Sequence, residues 1–99
     1  MTSKLNITPE AERDIFAIAT NIRQQDSLQT ARQVLSEFKK QLNILAEFPD
    51  SGREGGCEGT REIVLSGFPY IAIYEHTDAS VIILRILYGA DDRRQEKRK

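Results

Sequence analysis

The sequence predicts an α+β domain in the order β-α-α-β-β-β, a helical hairpin packed on a small, mainly antiparallel sheet. Three observations carry this reading. Apolar residues recur at steps of three and four from residue 9 to residue 48, strand-like runs rich in Ile, Val and Tyr begin only after residue 60, and a segment holding four of the six glycines separates the two.

Residues 4–6 predict a short edge strand, with Leu5 and Ile7 alternating against polar neighbours. Thr8-Pro9-Glu10 then starts a helix. Thr8 serves as its cap, Pro9 occupies the first helical position, and Glu10, Glu12 and Asp14 sit near the positive end of the dipole. Ala11, Ile15, Ile18, Ala19 and Ile22 form its buried stripe, which runs to about Gln25. Asp26 followed three residues on by Gln29 predicts a capping box and an immediate second helix. Its stripe is Ala31, Val34, Leu35, Phe38, Leu42 and Leu45, and Pro49-Asp50-Ser51-Gly52 stops it.

Residues 49–60 read as a loop. Residues 61–65, 70–76 and 81–88 then form three strands joined by short turns, an antiparallel meander. The last, VIILRILY, is apolar on both faces except at Arg85 and is expected to be the central strand. The hairpin covers one face of the sheet, and the other is expected to be available to a partner.

The 99 residues make a single domain, 1–99, with residues 91–99 a charged tail. That tail holds five basic and three acidic residues, so it carries +2 against −3 for the rest. An acidic body is a poor general clamp for phosphates, and a nucleic-acid role would need a local patch. No apolar run reaches the ~20 residues of a membrane span, and the first eight residues lack the apolar core of a signal peptide, so a soluble cytoplasmic protein is expected. The lone Cys57 gives neither a disulfide nor a metal-binding spacing. No cofactor is implied.

Phosphate-loop and dinucleotide glycine motifs are absent, and the single His76 has no metalloprotease context. His76 reads as an exposed turn residue and Cys57 as an inert one. Arg53, Arg61, Arg85 and Arg93, with Tyr88, lie in or beside the loop and strands. Arginine's planar fork suits phosphate or an acidic peptide, so these five are the candidate partner-binding residues. The alternative is that Arg61 and Arg85 pair with Glu62, Glu75 or other local acids.

Residues 48–53 (FPDSGR), 59–75 (GTREIVLSGFPYIAIYE) and 81–93 (VIILRILYGADDR), with PEAERDI at 9–15, resemble the RelE/ParE superfamily of bacterial type II toxins, often labelled plasmid stabilisation proteins. The resemblance covers nearly the whole chain. It implies a RelE/ParE-like fold and a toxin encoded beside an antitoxin that wraps it in an inactive complex. It also implies one of two activities: ribosome-dependent mRNA cleavage in the RelE kind, or inhibition of DNA gyrase by binding in the ParE-like branch.

Nucleases of the RelE kind place basic residues at positions that correspond here to Glu62, Val64, Ile71 and Asp91. Attack by a 2′-hydroxyl needs proton transfer and stabilisation of a dianionic phosphorane, which carboxylate and aliphatic side chains do not supply. Some relatives use a glutamate, an arginine and a C-terminal histidine. Glu58 or Glu62, Arg61 or Arg85, and Tyr88 would stand in for that set, so Arg61, Arg85 and Tyr88 are the catalytic candidates should the chain be a ribonuclease. The resemblance favours the ParE-like branch, with gyrase as target and with ribosome and mRNA as the alternative. A third reading is an antitoxin-binding co-repressor without toxicity. The antitoxin is expected in the groove between hairpin and sheet, as an amphipathic helix or strand.

Overall fold

The computed structural model describes residues 4–89, so the expected tail, with Asp91 and Arg93, lies outside the described residues. Along the chain come β1 (Lys4–Ile7), α1 (Pro9–Gln25), α2 (Leu28–Glu47), a 3-10 turn (Pro49–Ser51), β2 (Arg53–Glu54), β3 (Arg61–Val64), β4 (Tyr70–His76) and β5 (Ser80–Tyr88). The sheet order is β1-β5-β4-β3-β2, with β1 parallel to β5 and the other pairs antiparallel.

α1 starts as its sequence dictates. Thr8 Oγ1 accepts from Ala11 N at 3.1 Å, and the Thr8 hydroxyl also lies 2.9 Å from Ile83 O and 3.0 Å from Leu84 O. One residue thus caps the helix and fastens it to β5. The start of α2 differs from expectation. Its cap is Ser27, which accepts from Thr30 N at 3.1 Å. Asp26 instead ends α1, its N–H bound to Ile22 O at 2.8 Å, so its backbone is not free to begin the next helix.

The two stripes meet the sheet as the periodicity requires. Ala11 and Ile18 of α1 and Val34, Phe38, Leu42 and Leu45 of α2 pack on Ala72, Tyr74, Val81, Ile83 and Ile86. Leu35 is only partly buried, whereas Ala46 is fully so. Phe38 anchors this core, its ring edge-on to Phe68 at 5.2 Å and to Tyr70 at 5.8 Å.

Two features of the sheet depart from expectation. β4, not β5, is its middle strand, because the glycine-rich segment supplies β2 as a fifth strand beyond β3. The register of β4 against β5 also slips: Ile73 faces Arg85 but Tyr74 faces Ile83. One extra residue, Leu84, therefore bulges from β5 just where its pairing with β1 ends at Ile83. On the face away from the helices Ile71 is 0% exposed and Glu62 4%, so that face is not uniformly open.

Candidate functional site

The described side chains singled out by sequence fall into two separate groups, with Arg53 apart from both. The first surrounds the turn at residues 49–52. Tyr74, buried in β4, donates its hydroxyl to Pro49 O at 2.7 Å and accepts from Gly52 N at 2.9 Å. Burial pushes its phenol pKa up. Arg61 donates to Gly52 O at 2.7 Å and lies 3.7 Å from Asp50. His76 Nε2 sits 3.1 Å from the same Asp50 carboxylate. His76 is therefore no free turn residue, and Arg61 finds its acid in the turn and not in Glu62 or Glu75. The three side chains grip the FPDSGR segment from the sheet, which accounts for its sequence. A Cβ on Gly52 would stand 2.5 Å from Tyr74 Oη, so the turn closes only with glycine there.

Beside this clamp a cleft of about 260 Å³ is lined by Glu58, Arg61 and His76 with the glycine loop. It brings together two members of the glutamate-arginine-histidine imitation, but not Tyr88. Exposed Cys57 stands at its rim.

Arg53 belongs to the opposite face. It stands across from Glu62 in the β2–β3 ladder, 3.7 Å from its carboxylate. Glu62, Val64 and Ile71, the positions where a RelE-type nuclease carries cations, share this face by strand alternation. They present a buried carboxylate beside Arg53 and two aliphatic side chains.

The second group lies on β5. Arg85 makes a bidentate pair with Asp14 of α1, Nε to Oδ2 at 2.7 Å and Nη2 to Oδ1 at 2.9 Å. Asp14 Oδ2 also accepts from Ile86 N at 2.9 Å, so the carboxylate caps the edge that the bulge leaves open. The hydrogen bond from Arg85 holds the Asp14 carboxyl below the ordinary aspartate value. Tyr88 is 69% exposed, with its ring edge-on to Tyr70 at 5.4 Å. Alternation sets Arg85 and Tyr88 on opposite faces of β5. Arg61, opposite Tyr74, lies about 13 Å along β4 from Tyr70 and Tyr88. Arg61, Arg85 and Tyr88 therefore do not converge on one phosphate-sized site.

A third feature escaped the reading of single residues. A groove of about 400 Å³ runs between the second half of α2 and β3, floored by Leu42, Leu45, Ile63 and Leu65. At one end Gln41 exchanges two hydrogen bonds with the backbone of Ser66, Nε2 to O at 2.9 Å and N to Oε1 at 2.6 Å. Asp14, Gln41, Asp50 and Tyr74 all work through partners distant in sequence, and only the buried tyrosine, which needs a partner for its hydroxyl, carries a local signal.

Among the described residues no group of three or more His, Cys, Asp or Glu is placed to hold a metal ion. No helix among them is long and apolar enough to cross a membrane.

Comparison with known proteins gives these features a family. The family model of the ParE toxin of the type II toxin-antitoxin system parDE matches residues 5–93. The Putative toxin Y4kP of Sinorhizobium fredii (strain NBRC 101917 / NGR234) is 35% identical over 86 residues, 87% of this chain and 88% of that protein. Among solved structures, a chain of the chromosomal ParDE system from P. aeruginosa superposes with a TM-score of 0.81 at 22% identity, covering 89% of this chain and 97% of its own. The toxin RelE of E. coli, a mutant in the free state, gives 0.63 at 18% identity, covering 95% and 90%. These likenesses confirm the two-helix, five-strand fold, and with 89 residues matched the chain belongs to the ParE toxin family of type II toxin-antitoxin systems.

Proposed function

We propose that this chain is a toxin that inhibits DNA gyrase by binding, without chemistry of its own, and that a cognate antitoxin neutralises it in the cytoplasm. One observation carries the choice against ribonuclease chemistry. The described positions where a RelE-type nuclease needs cations hold Glu62, Val64 and Ile71, and the nearby strand arginine, Arg85, is engaged by Asp14. Stabilising a dianionic phosphorane takes several cationic donors aimed at one point. Here Arg61 and Arg85 are spent on the turn and on α1, and Arg53 faces Glu62.

The family match supports the toxin, and the family's parDE branch supports gyrase as its target. Arg53, half-exposed, and Tyr88, well exposed, offer contacts to target or antitoxin, with Arg93 as a third; Arg61 and Arg85 contribute their outer edges.

The test is a supercoiling assay with purified gyrase and the free protein, run beside cleavage of mRNA on programmed ribosomes. Lost supercoiling or trapped cleaved DNA with intact mRNA is the expected result. Cut mRNA with unaffected gyrase overturns the reading. Unimpaired growth when the chain is expressed alone would point instead to a co-repressor without toxicity.

A further inference from the structure

The negative charge of the body is unevenly spread. Nine basic residues fall between positions 4 and 89; Arg53, Arg61 and Arg85 are paired with acids, and Lys4 lies in β1. The other five, Arg13 and Arg23 of α1 and Arg32, Lys39 and Lys40 of α2, are all exposed. Among the described residues none of these five has an ion-pair partner.

Helix period gathers them on one surface. Arg13, Phe16 and Arg23 stand three and seven residues apart, on the side of α1 away from buried Ala11 and Ile18. Arg32, Lys39 and Lys40 stand on the side of α2 away from buried Phe38 and Leu45. The flanks that look to the ends of the sheet carry other side chains, Asp14 toward Arg85 and Gln41 toward Ser66. Because the helices turn back at Asp26 and Ser27, Arg13 lies level with Lys40, and Arg23 lies near Arg32. At 1.5 Å per residue these two tiers are about 10–15 Å apart. The acids of the hairpin sit mostly at its rims: Glu10 and Asp14 beside Arg85, Asp26 against Thr30 at the connection, and Glu37 in the groove along β3. Glu12 in the first turn of α1 and Glu47 at the end of α2 remain, both at the open end of the hairpin. Five cations against two carboxylates leave this face positive on an otherwise acidic body.

Between the tiers stands Phe16. It is 73% exposed, the most exposed large apolar side chain among the described residues, and it takes no part in the core. A ring held in water among cations is the combination that binds an unpaired strand, whose phosphates meet the charges and whose free base stacks on the ring. A duplex would satisfy the cations but keep its bases from Phe16.

We propose that the outer face of the helical hairpin binds a single strand of DNA, with its phosphates on Arg13, Arg23, Arg32, Lys39 and Lys40 and a base stacked on Phe16. The choice of DNA rests on the gyrase reading above, which sets the toxin beside DNA. The face lies on the opposite side of the domain from Glu62, Val64 and Ile71, so it is separate from the positions where a RelE-type nuclease carries its cations.

The test is fluorescence anisotropy of the free full chain with a labelled thymidine dodecamer, a duplex of the same length and a uridine dodecamer, from 50 to 200 mM salt. The single DNA strand is expected to bind best, with log K falling against log salt at a slope of about −0.7 for each phosphate neutralised. The double variant Arg32→Gln, Lys39→Gln should flatten that slope by roughly 1.4. Phe16→Ala should weaken the single strand about fivefold or more at an unchanged slope. All three substitutions are at exposed positions, and unchanged melting temperatures would show that the fold is intact. Arg93→Gln with Arg94→Gln should bind as wild type; binding that depends on this pair and not on the hairpin variants overturns the proposal. Absence of binding at 50 mM salt, a duplex bound as well as the strand with Phe16→Ala silent, tighter binding of the uridine strand, or equal binding of a poly-glutamate peptide of the same charge each overturns it too. Strand binding by the hairpin in a protein that leaves supercoiling untouched would remove the gyrase reading and keep the surface, whereas inhibited gyrase without strand binding would do the reverse.

Discussion

The carboxylate of Asp14 binds two groups 71 and 72 residues further along the chain, the Arg85 guanidinium and the Ile86 backbone N–H. β1 pairs with β5 only as far as Ile83, and the bulge at Leu84 then turns the outer edge of β5 away from any strand. Thr8 and Asp14, both from the start of α1, take over that edge. The pairing is thus a structural seam between the first helix and the last strand, and it engages an arginine that sequence alone would offer to a phosphate.

Asp14→Ala should cost about 2–3 kcal/mol, since it strands the Ile86 N–H and removes a bidentate ion pair. Asp14→Asn keeps an acceptor for Ile86 and should cost less. The seam also has a pH signature. Arg85 depresses the Asp14 pKa in the folded state, so the stabilisation is complete above the unfolded value of about 3.9 and is lost as pH falls through the folded pKa. Urea unfolding at a series of pH values should show a steeper acid loss for wild type than for Asp14→Asn; parallel curves would refute this.

Tyr74→Phe should destabilise the protein by about 1–3 kcal/mol, because Gly52 N and Pro49 O lose a shared partner in a buried place. Gly52→Ala should cost a similar amount for a different reason, the added Cβ falling 2.5 Å from the Tyr74 hydroxyl. The double variant removes the Oη contact but keeps those with Glu62 O at 2.8 Å and the ring Cε1 at 2.9 Å, so its cost should fall only part of the way below the sum of the two. A double-mutant cycle by chemical denaturation measures this coupling.

Which of these relationships could be read in advance depended on sequence separation. Thr8-Pro9 announced α1 because a cap and a proline act within one turn, and the stripes of both helices follow from period alone. Sequence does not single out Ser27, because Asp26 beside it is an equally good cap by type, and the closing bond of α1 to Ile22 decides between them. β2 is two residues long and exists only through its pairing with Arg61 and Glu62, a signal too short for any periodicity. Arg61 and Arg85 were visible as candidates. Their true partners, Asp50 and Asp14, are set by topology and not by neighbourhood.

Glu62→Lys would restore a cation where a RelE-type nuclease has one, yet it should not confer mRNA cleavage. The new ammonium would stand buried against Arg53, with no convergent arginine to share a phosphate. Loss of the ion pair and the like-charge contact should cost at least about 2 kcal/mol. Denaturation and the ribosome assay together check this, and cleavage above the wild-type level would refute it.

Phe38→Ala tests how much of the fold hangs on one ring. Phe38 is 1% exposed and is the α2 side chain that meets both Phe68 and Tyr70 edge-on, with Tyr70 passing the contact to Tyr88. Truncation removes the buried ring and leaves a cavity between α2 and the sheet, a loss of about 3–5 kcal/mol. A domain of this size has a total stability of only about 5–15 kcal/mol, so the variant should lose a large fraction of it and lower the melting temperature by roughly 12 °C or more. Because Phe68 and Tyr70 frame the turn beside the α2–β3 groove, Phe38→Leu, which refills part of the space, should recover much of the stability; equal losses for Leu and Ala would show that the ring contacts, and not the volume, hold this corner together.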